Sequence, residues 1–151
     1  MLLFCMILLP DPVTAGSEVY QAYAPDKTYR GVMLDLRLAI SERNFALVGR
    51  NTIGRAIDRQ RQEDFPRATV LQICNLDLGR AALRADPGLL PYLPCRIAVY
   101  EEPKGGIRLS TQLLPHAPGA ERRNEIADRI NDHLRAIVDF GAKPLPDTEA
   151  P

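Results

Sequence analysis

Residues 68–102 read ATVLQICNLDLGRAALRADPGLLPYLPCRIAVYEE, and this stretch decides the fold. It opens on a near-continuous apolar run carrying Val70, Leu71 and Ile73, the length and pattern of a central strand at 68–74. Asn75 or Asp77 then supplies a side-chain oxygen for the orphan N–H groups of a helix start. Leu78, Ala81, Ala82 and Leu83 follow on that helix, and Asp86-Pro87 breaks it. Leu89 and Leu90 predict a short turn against the core, closed by Pro91 and Pro94. A further strand is predicted at 95–102, with Ile97 and Val99 facing one way.

Downstream, Pro103-Lys104-Gly105-Gly106 predicts a hairpin turn, because its glycines tolerate the positive φ such turns demand. A strand at 107–113 and a Pro/Gly-rich loop at 114–119 follow. The last helix is predicted over 120–140, with Ile126, Ile130, Leu134, Ile137 and Val138 on one face and Gly141 as its C-terminal cap. The tail at 143–151 holds three prolines without apolar periodicity and is expected to be disordered.

Upstream, residues 19–24 predict a strand ended by Pro25, and Asp26 or Thr28 caps a helix running to about Arg43. Val32, Leu36, Ala39 and Ile40 mark its buried face. A second strand is expected at 45–49, and Asn51-Thr52 then starts a short helix through Ile53, Ala56 and Ile57, with 58–64 polar and solvated. Helices alternate with strands and then a hairpin closes the sheet, which fits an α+β sheet with helices on one face.

The chain has 151 residues, enough for one domain with its own core at 16–142. Its 19 basic and 19 acidic residues cancel, which argues against nucleic acid and anionic membrane surfaces as partners. The absence of Trp argues against a stacking platform for single strands. Arg50, Arg55, Arg59 and Arg61 cluster, but Asp58, Glu63 and Asp64 lie among them, which reads as a solvated mixed-charge face. Residues 2–9 form an apolar run far shorter than the ~20 residues of a membrane span, followed by Val13-Thr14-Ala15. This pattern reads as a signal peptide over 1–15, although no Lys or Arg precedes the run. The expected location is periplasmic or secreted, or cytoplasmic if the leader does not function.

Three segments carry a family resemblance. One is Ala39-Ile40-Ser41-Glu42-Arg43-Asn44-Phe45-Ala46-Leu47-Val48. Another is Thr69-Val70-Leu71-Gln72-Ile73-Cys74-Asn75 with Ala85-Asp86-Pro87. The third is Leu93-Pro94-Cys95-Arg96-Ile97-Ala98-Val99-Tyr100-Glu101. Together they resemble domain-of-unknown-function family 302, over roughly residues 19–138. The resemblance implies a TATA-binding-protein-like fold: a curved, mostly antiparallel five-stranded sheet backed by helices, often homodimeric, with no established activity. Many relatives carry an acidic residue and a histidine just after the second strand; Asn51-Thr52 stands there in this chain.

The antiparallel arrangement implied by the family would bring Cys74, at the end of one strand, and Cys95, at the start of the next, to one rim of the sheet. Three readings stay open: two buried structural thiols, a disulfide, or a reactive thiol or metal site. Arg96 and the helix start after Cys74 would each lower a thiol pKa, though Arg96 should face away from Cys95. His116 and His133, the two histidines, match no zinc spacing, so neither metal nor cofactor is expected. No nucleophile elbow, phosphate loop or same-face carboxylate pair is present. The reading is an exported, homodimeric small-ligand-binding or accessory domain with no catalytic set. Its candidate residues are Asn51, Asn75, Cys74, Cys95 and Arg96, and the alternative is thiol-redox or sulfur handling through the two cysteines.

Overall fold

The computed structural model describes residues 18–62 and 64–144. The leader expected at 1–15 and most of the expected tail lie outside them. The described elements run β1 (Val19–Ala24), α1 (Tyr29–Glu42), β2 (Ala46–Thr52), α2 (Ile53–Arg61), β3 (Ala68–Cys74), α3 (Leu76–Ala85), a 3-10 turn (Pro87–Tyr92), β4 (Cys95–Glu101), β5 (Ile107–Gln112) and α4 (Glu121–Ala142).

The five strands form one sheet in the order β1-β5-β4-β3-β2, antiparallel at every step. Strands β2 to β5 make a consecutive meander, and α1 carries the chain from β1 at one edge to β2 at the other. Period-two alternation separates the faces. Thr69, Leu71 and Ile73 of β3, Cys95, Ile97 and Val99 of β4, and Ile107, Leu109 and Thr111 of β5 are buried. Helix α4 meets this face through Ile126, Ile130, Leu134, Ile137 and Val138, the stripe expected from the sequence.

Local chemistry sets the helix starts. The Thr28 hydroxyl accepts from Gly31 N at 3.1 Å and begins α1. The Asn75 amide oxygen accepts from Leu78 N at 3.1 Å and begins α3. Beyond α1, Asn44 takes φ 58°, which asparagine tolerates better than most residues, and Phe45 N returns to Ile40 O at 3.0 Å. The loop after β5 is clamped from α4. Asn131 uses its amide as a surrogate strand, accepting from Leu114 N at 2.8 Å and donating to Leu114 O at 3.0 Å. Asn124 does the same one heptad earlier, to Ala117 N at 2.9 Å and Ala117 O at 2.8 Å. Buried Arg123 donates to Asp86 at 2.8 Å and to the Pro115 carbonyl, which joins α4 to the start of the 3-10 turn. Buried Lys27 pairs with Asp35 and donates to Gly141 O at 2.9 Å.

Four local expectations are corrected. Strand β2 runs on to Thr52, so Asn51-Thr52 ends a strand rather than starting a helix; the antiparallel ladder with Val70 and Thr69 holds both residues extended. Helix α2 runs past the expected Ile57 as far as Arg61, while residues 59–62 stay exposed as expected. Leu89 enters the core but Leu90 is exposed. Gly141 does not terminate α4, which continues to Ala142. It is a contact residue: a Cβ there would lie 2.6 Å from Leu36 Cδ2 and 2.9 Å from Leu109 Cδ2. Only a residue without a side chain lets α4 approach α1 and β5 so closely.

Candidate functional site

The residues singled out from the sequence divide between two places. Asn75, Cys74, Cys95 and Arg96 gather where β3 ends and β4 begins, since Ile73 pairs with Cys95. Asn51 lies elsewhere, exposed on β2 opposite Val70, roughly 13 Å along β3 from Cys74 at ~3.3 Å per residue.

The cysteine rim is chemically quiet. Both thiols are free, Cys95 buried and Cys74 half-buried. Burial pushes the Cys95 thiol up to about 12, reinforced by neighbouring Cys74, and burial also raises Cys74. The sequence-based expectation of a lowered thiol pKa is therefore reversed. Arg96 does act in the lowering direction, but it is outweighed by desolvation. Its side chain is exposed and turns to the Pro91 carbonyl at 3.2 Å. Asn75 is occupied as the α3 cap.

The histidines sit apart. His116 Nε2 lies 2.7 Å from an Asp128 oxygen, both exposed, and His133 meets Phe45 edge-on at 5.6 Å between centroids. Among the described residues no group of three His, Cys, Asp or Glu side chains is placed to hold a metal.

A different site lies at the opposite end of β3. A cavity of about 390 Å³ opens on the helix side of the sheet, where α1, the end of β2, the start of α2 and the start of β3 meet. Arg30, Arg50, Arg55 and Arg67 stand around it, with Met33 and Ala68 as apolar wall. The local fold explains the assembly. Thr52 pairs with Thr69, so the chain enters α2 beside the β3 backbone. Gly54 makes that approach feasible, because a Cβ there would meet Pro66 O at 2.5 Å and Ala68 N at 2.9 Å. Asp58 forms no ion pair with these arginines among the described residues, and its carboxylate accepts from Phe65 N at 2.6 Å.

Tyr29, the first residue of α1, lines this cavity and is only 7% exposed. The Arg67 guanidinium stacks 4.6 Å from its ring centroid. Arg67 is itself clamped by Glu101 through two hydrogen bonds of 2.7 and 2.5 Å, which hold the Glu101 carboxyl below its ordinary range. The Tyr29 hydroxyl is buried and has no hydrogen-bond partner among the described residues. A buried, unpaired hydroxyl costs about 1–3 kcal/mol. Sequence reasoning missed Tyr29 because a tyrosine at the first turn of a helix resembles any other core-edge residue. It did register Arg50 and Arg55, but as a solvated face.

Comparison with other proteins agrees with the fold. An uncharacterized protein of Aquifex aeolicus (strain VF5) is 26% identical over 112 residues, spanning 74% of this chain and 72% of its own. The crystal structure of an uncharacterized conserved protein, DUF302, from Bacillus stearothermophilus superposes with a TM-score of 0.68. It covers 83% of this chain and 98% of its own, at 18% identity, so the likeness is one of fold. The family model described as "Domain of unknown function DUF302" matches residues 21–140. With that match over most of its length, and with the five-stranded antiparallel sheet of the solved relative, the chain belongs to the DUF302 family.

Proposed function

We propose that this protein is a small-ligand-binding domain whose site is the cavity between α1, the β2–α2 junction and the start of β3. The observation that carries this reading is Tyr29, which lines a cavity of about 390 Å³ and whose hydroxyl is buried without a partner among the described residues. Native interiors rarely leave such a group unpaired, and a ligand able to hydrogen-bond it would remove the cost. The surrounding arginines hold and orient; none is a nucleophile or a base at neutral pH. Binding rather than catalysis is therefore the reading. The thiols, at the far end of β3, take no part in it, and their raised pKa values weigh against thiol-redox chemistry.

Tyr29→Phe tests the proposal. It should raise the stability of the ligand-free protein by about 1 kcal/mol, because the unsatisfied oxygen is gone. It should also weaken every ligand that a small-fragment screen finds in the cavity. A variant that is less stable and binds as before would mean that the hydroxyl is paired by solvent and plays no recognition role.

Homodimerisation is part of the same proposal. It is supported by exposed apolar side chains on α1 (Leu34 and Leu38) and on the edge strand β2 (Leu47 and Val48). Val48→Lys should convert a dimer to a monomer in light scattering. Export is supported by the apolar run at 2–9 and the small residues before Gly16. A mature mass beginning at Gly16 is the expected result, and retention of Met1 would reject it.

A further inference from the structure

We infer that the cavity ligand is a small oxyanion, a molecule bearing a carboxylate or phosphate group, received between Arg50 and Arg55 at the start of α2. The inference rests on the binding proposal above and specifies its chemistry. Three of the four arginines around the cavity, Arg30, Arg50 and Arg55, have no ion-pair partner among the described residues. The fourth, Arg67, is neutralised by Glu101 and acts as wall and stacking partner for Tyr29. Among the described residues, no acidic side chain lines the space.

The α2 N-terminus adds to this charge. Thr52 precedes the helix but makes no side-chain capping bond, so the first N–H groups of this nine-residue helix keep their donors free of a capping acceptor from Thr52. Helix starts carry partial positive charge and favour anions. Tyr29, whose hydroxyl is buried without a partner among the described residues, lines the same cavity. Arginine forks match carboxylate and phosphate oxygens in pairs, so the two acid groups share one recognition chemistry here. A cation would be repelled by three exposed arginines, whereas an oxyanion supplies them with a counter-charge that a neutral molecule does not. Met33 and the Tyr29 ring leave room for an apolar body beside the acid group.

The full chain, labelled with ¹⁵N and kept in chloride buffer, is titrated with inorganic phosphate, benzoate, benzamide and benzylammonium. Phosphate or benzoate should saturably shift the backbone amides of Ile53, Gly54 and Arg55. Arg50→Gln and Arg55→Gln should each weaken that binding about tenfold, the loss expected for one charge-assisted contact, with the rest of the spectrum unchanged. Arg84→Gln, at the end of α3 and away from the cavity lining, should leave the affinity as it is. Tighter binding of phosphate than benzoate would identify a phosphoryl ligand, and the reverse a carboxylate. Benzamide or benzylammonium binding as tightly as benzoate would overturn the oxyanion inference and leave the cavity reading in place. Anion shifts that survive both arginine substitutions would also overturn it. If no probe shifts the cavity amides, the inference and the binding proposal fall together.

Discussion

At the Cys74 end of β3, Asn75 caps a helix, Arg96 reaches a carbonyl, and burial raises the pKa of both thiols. At the Thr69 end, Arg30, Arg50 and Arg55 stand around a cavity, and among the described residues they have no ion-pair partner and the buried Tyr29 hydroxyl has no hydrogen bond. The cysteine rim holds nearly all the residues whose types suggest reactivity. The arginine cavity is built from residues that, read in sequence, resemble ordinary solvated charge. Residue type marks chemical potential, but satisfaction of hydrogen bonds and charge separates a structural feature from a prepared site. By that criterion the cysteine rim is finished, whereas beside the arginine cavity one buried hydroxyl has no partner among the described residues and three exposed arginines have no ion pair there.

The largest effect that would sharpen this contrast is expected at Gly54. Alanine there gains up to about 1 kcal/mol of helix propensity. Its Cβ, however, would be forced 2.5 Å from the Pro66 carbonyl oxygen, a backbone atom that cannot swing aside. We expect Gly54→Ala to destabilise by about 2 kcal/mol in urea denaturation, the range of overpacking, and to open α2 away from the cavity. A neutral or stabilising result would show that the β2–α2 junction yields more easily than its close backbone approach implies.

The cysteine rim should respond more modestly. Cys95→Ala should cost about 1 kcal/mol, a lost buried contact, and should leave ligand binding at the cavity unchanged. The native Cys95 thiol should also alkylate with iodoacetamide at least about tenfold more slowly at pH 8 than in denatured protein, because the thiolate is the reacting species. Equal rates in the two states would revive the thiol reading and undo the contrast.

The smallest effect concerns the closed networks that frame both regions. Hydrogen bonding from Arg123 lowers the Asp86 carboxyl, and Arg67 lowers Glu101 in the same way. A depressed carboxylate stabilises the fold above its unfolded value and loses that contribution as the pH falls through its folded value. Stability should therefore decline on acidification below about pH 4, the ordinary carboxylate range. Asp86→Asn and Glu101→Gln should each make the decline shallower in melting curves from about pH 6 to about pH 2, the range that brackets carboxylate titration. A slope unchanged in both variants would mean that these pairs are screened at the surface.

Much of the fold was legible in the residues. Strand β3 follows from its apolar run, the α3 start from a capping side chain at Asn75 or Asp77, and the α4 stripe from its period. The clamps formed by Asn124 and Asn131 were not legible, because an asparagine on a helix declares its partner only when a loop is laid against it. Gly141 was misread for a related reason. Glycine near a helix end reads as a cap, and only the packed Leu36 and Leu109 reveal that it is there for contact.

By itself, the chain's order of apolar and polar residues determined the elements, their class and the absence of a net charge to recruit nucleic acid. These are properties of neighbours along the sequence, carried by periodicity and capping. The tertiary structure alone decided that Tyr29, Arg50, Arg55 and Arg67, from four separate segments, share one cavity, and that the Tyr29 hydroxyl is buried without a partner among the described residues. Whether a polar group is satisfied depends on atoms distant in the chain, and no local pattern encodes it.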